Sequence, residues 1–191
     1  MKNVVIFIAD GSEEVETLTP VDYLRRAGLD VTLVSVGTQS RTVTCSHKVC
    51  ITADITLEAY LSGCGGILPD AVVVPGGMPG TKNIAASASA ITFINAMDAE
   101  KKLICAICAA PALVLSKTTA LQGRKWTCFT DMESDAGVFQ KTFVGGTPFV
   151  HDANVITGRG AGAAEEFAME IVKTLAGEEI WRKIKTSTLQ R

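Results

Sequence analysis

The chain alternates short aliphatic runs with segments of helical periodicity. Five runs follow one another, and they read NVVIFIA, DVTLVSV, DAVVVPGG, KLICAIC and NVITGRG. Continuous runs of Val, Ile and Leu are typical of parallel strands that are buried on both faces of a sheet. The pattern therefore predicts a mostly parallel sheet as the core of the fold.

The segments between these runs predict helices that cross over the sheet. LTPVDYLRRAG separates the first two strands, and Gly28 follows it as a C-cap glycine does. Between the third and fourth strands, Ile91, Phe93, Ile94 and Met97 can cover one face of the sheet. Near the end of the chain, apolar residues at i, i+3, i+4 spacing predict a core-covering helix. These residues are Ala164, Phe167, Ala168, Ile171, Val172 and Leu175.

Two further segments, Cys45 to Thr52 and KTFVGG to NVITG, predict hairpins at the periphery of the parallel core. No repeat, low-complexity stretch or linker divides residues 1–191, so we expect one α/β domain of the three-layer, doubly wound kind. In such sheets the ligand site lies beyond the carboxyl ends of the strands. The segments GSEEVE, PGGMPG and CAAP follow strand ends and become the candidates.

Composition limits the classes of partner and the cellular compartment that we expect. With 18 basic against 20 acidic residues and few aromatic residues, the chain lacks what binding to nucleic acid requires. No apolar run reaches the 18 or so residues of a membrane span, and Asp10 interrupts the N-terminal run too early for a signal peptide. Six cysteines in an enzyme-sized chain indicate free thiols in a reducing compartment, so we expect a cytoplasmic protein.

Cys108 stands between the LICAI strand and a predicted helix. Pro111 falls in the first helical turn, and the small Ala106 and Ala110 suit a tight bend, as in a nucleophile elbow. A thiol at a helix N-terminus has a lowered pKa, which predicts a reactive thiolate; a buried cysteine that ends a strand is the alternative. Cys105 lies inside the strand, so the CxxC spacing does not predict a redox pair.

A glycine turn, Pro75 to Gly77, follows the third strand. The backbone N–H groups of Gly77 and Ala109 can form an oxyanion hole, although a tight turn without function explains the same glycines. PGGMPG lacks the GK[ST] of a phosphate loop, and no GxGxxG follows the first strand.

Three carboxylates, Glu13, Glu14 and Glu16, follow the first strand. Solvated charge at a helix start is the usual reason for such a cluster. Alternatively, one carboxyl is protonated in an apolar site and donates a hydrogen bond to a thiolate. The residues themselves do not choose among the three.

The segments GSEEVETLTPVDYLRRAG, VVVPGG, LICAICAAPALVL and GRGAGAAEEFAMEIV together resemble the ThiJ/PfpI superfamily, in the branch of the parkinsonism-associated deglycase and YajL. The similarity runs from Lys2 to the last helix. It implies a flavodoxin-like fold, a homodimer, and activity on glyoxals and glycated thiols or amines. By position it assigns Cys108 as the oxidisable elbow cysteine, Glu16 as its hydrogen-bond partner, and Gly77 and Ala109 as backbone donors.

The sequence departs from this family at three positions. Phe129 stands where members with glyoxalase activity often have a histidine, which puts a three-residue catalytic set in doubt. Ala109 stands where the protease branch has a histidine, so peptidase activity is not expected. His47 falls at an arginine position in the hairpin that reaches the neighbouring subunit; it lines the partner's pocket or is a solvated surface residue. His151 lacks the HxE pattern of a glutaminase.

Together these observations predict a homodimeric, cysteine-dependent glyoxalase or deglycase that acts on small carbonyl compounds. No metal ion or organic cofactor is expected, and neither nucleic acid nor a membrane is an expected partner. The alternative is an oxidative-stress sensor or chaperone in which Cys108 is oxidised and turnover is incidental.

Overall fold

The core of the fold is a seven-stranded sheet, which a computed structural model describes together with its helices over residues 1–190. The strands are β1 (Asn3–Ile8), β2 (Asp30–Ser35), β3 (Thr42–Thr44), β4 (Cys50–Thr52), β5 (Ile55–Thr56), β6 (Ala71–Val74), β7 (Leu103–Ile107), β8 (Phe149–Asp152) and β9 (Val155–Gly158). The sheet order is β5-β2-β1-β6-β7-β9-β8, with β3 and β4 forming a separate hairpin. Among the described strands of the seven-stranded sheet, only β8 runs antiparallel to its neighbour, so the predicted mostly parallel sheet is confirmed.

Helices cover both faces of the sheet. They are α1 (Glu14–Arg26), α2 (Leu57–Gly63), α3 (Gly80–Ala86), α4 (Ala88–Ala99), α5 (Ala110–Leu113), α6 (Ala164–Ala176) and α7 (Glu178–Ser187). Helices α1, α6 and α7 pack with Val4, Ile6 and Ile8 of β1, whereas α2 to α5 pack with Val5 and Phe7 from its other face. This alternation confirms the three-layer arrangement. Within residues 1–190, no helix combines the length and the apolar character needed to cross a membrane.

The prediction of the second hairpin, from KTFVGG to NVITG, is wrong for its first strand. Residues 133–142 form 3₁₀ turns, and the antiparallel partner of β9 begins at Phe149 rather than in KTFVGG. Phe143 instead packs edge-on against the buried Trp126, at 5.4 Å between ring centroids, and a single bridge joins the two residues. Phe143, which suggested a strand, therefore packs against the hydrophobic core.

Helix α1 begins among the acidic residues that precede the LTPVDYLRRAG segment, so these residues do lie at a helix start. The Glu13 side chain caps the helix by accepting a hydrogen bond from the Glu16 N–H at 2.7 Å. This start places Glu14 and Glu16 on the first helical turn. From there Glu16 reaches the turn after β6 and accepts the Gly76 N–H, whereas Glu14 faces the β3–β4 hairpin.

Candidate active site

Cys108 occupies the sharp turn between β7 and α5. Its φ of 63° lies in the left-handed region, which is strained for a residue other than glycine. Two hydrogen bonds hold this conformation: the Cys108 N–H donates to the Gly158 carbonyl at 2.9 Å, and its carbonyl accepts from the Phe129 N–H at 2.9 Å. Pro111 lies in the first turn of α5, as predicted. The thiol is therefore held at the top of the sheet in an elbow.

The glycine turn after β6 packs directly on this elbow. A Cβ on Gly76 would lie 2.5 Å from both the Cβ of Cys108 and the Oε2 of Glu16, so only glycine fits. Gly77 has a φ of +87°, and a Cβ there would lie 2.3 Å from the Glu13 nitrogen. The backbone N–H groups of Gly77 and Ala109 lie beside the Cys108 sulfur and favour its charged form. The turn thus aims two donors at the sulfur.

Glu16 is the carboxylate that the fold brings to the thiol. It is 1% exposed, its Oε2 accepts the Gly76 N–H at 2.9 Å, and the Cys108 thiol lies near enough to affect its pKa. Its other oxygen, Oε1, is buried without a partner. An unpartnered carboxyl oxygen in an apolar site favours the protonated form of the group.

The ionisation of Glu16 reflects this burial. Burial raises the pKa of Glu16 to about 7, and the negative charge of Glu13 adds to the rise. The hydrogen bonds from Cys108 and Gly76 act in the opposite direction. Near neutral pH, therefore, Glu16 can both give and accept a proton.

The expected lowering of the thiol pKa is wrong. Burial, followed by the charge of Glu16, raises the pKa of Cys108 to about 12, against the effect of the N–H groups of Ala109 and Gly77. Helix α5 is one turn long, so its dipole is too small to overcome burial. Because the Glu16 charge contributes to the rise, the thiolate forms most readily while Glu16 carries a proton.

The other two carboxylates are not solvated, contrary to the expectation for a helix-start cluster. Glu14 is buried, and its carboxylate accepts hydrogen bonds from Ser46 and His47 of the β3–β4 hairpin. The Nδ1 atom of His47 lies 3.1 Å from Glu14 and 3.8 Å from Glu13. The His47 side chain itself is 73% exposed, and its contribution to a partner's pocket stays a prediction. The ligand atoms of Glu13, Glu14 and His47 lie within 4.8 Å of one another, but both Glu14 oxygens and one Glu13 oxygen already accept hydrogen bonds within the chain.

The remaining sequence candidates lie apart from the sulfur. Cys105 is fully buried in β7, and burial raises its pKa well above the usual range. The Nδ1 atom of His151, on β8, lies 2.7 Å from the Oε1 atom of Glu170, on α6. Phe129 is half exposed beside the elbow. Sequence reasoning missed the capping role of Glu13, although the i, i+3 spacing of two glutamates before a helix signals such a contact.

Comparison with known proteins identifies the family. The model of the DJ-1/PfpI family matches residues 2–174. The chain is 35% identical to protein dj-1beta of Drosophila melanogaster, covering 93% of this chain and 91% of that protein. It is 28% identical to a glutathione-independent glyoxalase of Caenorhabditis elegans, over 92% and 89% of the two chains.

Solved structures agree with this match. A DJ-1 superfamily protein of Salmonella typhimurium superposes with a TM-score of 0.91 at 35% identity, over the whole of both chains. Toxoplasma gondii DJ-1, in an oxidized form, superposes with a TM-score of 0.90 at 31% identity, over 99% and 98% of the chains. These neighbours confirm the flavodoxin-like α/β fold. The chain therefore belongs to the DJ-1/PfpI family.

Proposed function

We propose that the chain is a cysteine-dependent glyoxalase or deglycase for small dicarbonyls or their thiol and amine adducts. The observation that carries this proposal is the contact between the Cys108 thiol and the buried Glu16 carboxyl, with the N–H groups of Gly77 and Ala109 on the same sulfur. A nucleophile, a proton shuttle with a pKa of about 7 and two oxyanion donors meet at one point. A family relative that is named a glyoxalase supports the reaction class.

The first step is addition of the thiol to the aldehyde. The Cys108 thiol passes its proton to the Glu16 carboxylate, and the resulting thiolate attacks the aldehyde carbon of a 2-oxoaldehyde and forms a C–S bond, while the carbonyl electron pair moves to oxygen. The N–H groups of Gly77 and Ala109 stabilise this oxyanion. Protonated Glu16 then donates its proton, which gives a neutral hemithioacetal and a carboxylate.

The second step moves hydrogen between two carbons. The Glu16 carboxylate removes the proton from the former aldehyde carbon and returns it to the neighbouring carbon, through an ene-diol. The product is a thioester of a 2-hydroxy acid, which water hydrolyses to release the acid and the Cys108 thiol. In sum, one 2-oxoaldehyde and one water become one 2-hydroxy acid, so no redox partner is required.

We expect slow turnover. Phe129 occupies the place where the family often has a histidine, so acid-base catalysis falls on Glu16 alone. Loss of one proton-transfer group reduces rates by about 10² to 10⁴.

The second candidate function is sensing of oxidation. The two backbone donors and the Glu16 carboxyl surround a sulfur atom, and the same groups can hydrogen-bond a sulfinate. In that case oxidation of Cys108 is the functional event, as a sensor or chaperone, and turnover is incidental.

A steady-state assay with methylglyoxal, paired with peroxide titration of the same preparation, separates the two. We expect measurable lactate formation by the wild type, and Cys108→Ser should abolish it. Graded peroxide should remove the activity in step with oxidation of Cys108, and Phe129→His should raise it. His47→Ala and His151→Ala serve as controls, and both should retain turnover. Wild-type activity no greater than that of Cys108→Ser would reject the enzymatic proposal in favour of the sensor.

A further inference from the structure

Glu13 touches both parts of the site without reaching the sulfur. Its backbone N–H donates to the Gly76 carbonyl at 3.0 Å, and its nitrogen is the atom against which Gly77 packs. Its Oε2 accepts the Glu16 N–H at 2.7 Å. One residue therefore connects the glycine turn to the helical turn that carries the buried carboxyl.

The charge of Glu13 also bears on the site. Its side chain is only 13% exposed, so water screens the carboxylate poorly. Neighbouring titratable groups are Glu14 and Glu16 on α1, and His47 and Cys45 on the hairpin. Its like charge opposes ionisation of Glu16, whereas the exposed His47, 3.8 Å away, is the only one of these neighbours that can become positive.

We infer that Glu13 is a positioning residue for the Glu16–Cys108 pair: its oxygen fixes the turn that carries Glu16, and its poorly screened negative charge adds to the repulsion that disfavours negative charge on the pair. The inference goes beyond the proposed function, because it concerns the ionisation of the pair and not its turnover. It can therefore be tested on sulfur reactivity alone.

The experiment measures the rate of Cys108 alkylation by iodoacetamide between pH 5 and 10, resolved by peptide mass spectrometry. This range covers the first ionisation of the Glu16–Cys108 pair, near the Glu16 pKa of about 7, from which the reactive thiolate first forms. Glu13→Gln keeps a capping oxygen and removes the charge, whereas Glu13→Ala removes both. We expect the midpoint of the pH profile to fall by about one unit in both variants, since the pair loses a repelling neighbour. Only Glu13→Ala should also lower the Tm, by about 3 °C, through loss of the cap.

Two controls test whether the charge of Glu13 itself causes the shift. Glu13→Asp keeps the charge and should leave the midpoint near that of the wild type. Glu14→Gln removes the adjacent carboxylate, which faces the hairpin, and should not move the midpoint. A wild-type midpoint in Glu13→Gln, or an equal shift in Glu14→Gln, would overturn the inference. Absence of methylglyoxal turnover would reject the proposed function and leave these midpoints unaffected.

Discussion

Cys108 and Glu16 form one chemical unit, because each adds to the effect of burial on the ionisation of the other. The carboxyl is buried against the thiol, and the repulsion between their charges disfavours the doubly ionised state. The pair therefore holds at least one proton near neutral pH. This proton is available for transfer to an alkoxide that forms on a substrate.

Burial of Glu16 should make stability depend on pH. Its pKa is about 7 in the fold against 4.5 for a free side chain, so the folded state binds the proton more tightly. This contribution is fully present below pH 4.5, is lost as pH rises through 7, and amounts to about 3 kcal/mol. In urea unfolding, the free energy of unfolding of the wild type should therefore fall by about 3 kcal/mol relative to that of Glu16→Gln as the pH rises from 4.5 to 8.

Other carboxyl groups, such as those of Asp70 and Asp98, also have shifted pKa values. The shifts are the same in both proteins, so their contributions to stability cancel when the two curves are compared. Parallel stability curves for the wild type and Glu16→Gln would show that the Glu16 carboxyl ionises in the fold as it does in water.

Oxidation should single out Cys108 at the level of the sulfinic acid. Cys50 is exposed and will compete for the first oxidant, but within residues 1–190 the hydrogen-bonding group found on its sulfur is the Thr44 hydroxyl, at 3.9 Å. Under limiting peroxide, peptide mapping should find sulfinate at Cys108 first, more in Glu16→Gln than in Glu16→Leu, because only Gln keeps a donor. Equal sulfinate in both variants, or sulfinate first at Cys50 or Cys64, would contradict this assignment.

Among the elements, the turn between β6 and α3 sets the geometry of the site. Gly76→Ala should displace Cys108 or Glu16, since the new Cβ would lie 2.5 Å from atoms of both residues. We expect at least a tenfold loss of Cys108-dependent turnover and a lower Tm. Gly63→Ala, on α2 with no neighbouring atom within 4 Å, is the matched control and should retain both. A fully active Gly76→Ala would show that the turn tolerates a side chain.

The sequence predicts elements well where one physical signal dominates. The aliphatic runs before Pro75 and Cys108 predict the strand ends on which the site is built, because buried parallel strands need apolar residues on both faces. Burial of the acidic residues at the start of α1 could not be predicted, since it depends on the hairpin that folds over Glu14. The raised pKa of Cys108 likewise follows from tertiary packing, which overrides the local helix signal.

At the scale of the whole molecule, α1 has an unusual polarity. It buries Glu14 and Glu16 and exposes Val15 and Leu18, and Val49 of the adjacent hairpin is also exposed. Exposed apolar side chains that lie together form part of many interfaces between subunits.

We therefore expect the homodimer that the family resemblance implies, formed through this surface. Leu18→Asp should convert the dimer to a monomer in sedimentation equilibrium, because a buried unpaired charge destabilises the interface. Lys117→Asp, on the opposite side of the sheet, is the control and should remain dimeric. A wild type that is monomeric at micromolar concentration would reject the expectation.

The most direct test of the central claim counts product molecules per Cys108 thiol. Reduced protein is mixed with excess methylglyoxal, and lactate is quantified by NMR beside an equal amount of Cys108→Ser. If Cys108 and Glu16 catalyse the conversion, lactate will exceed the protein by many molecules per thiol and will be absent above background in Cys108→Ser. Lactate at or below one molecule per Cys108, or equal amounts from both proteins, would contradict catalysis at this site.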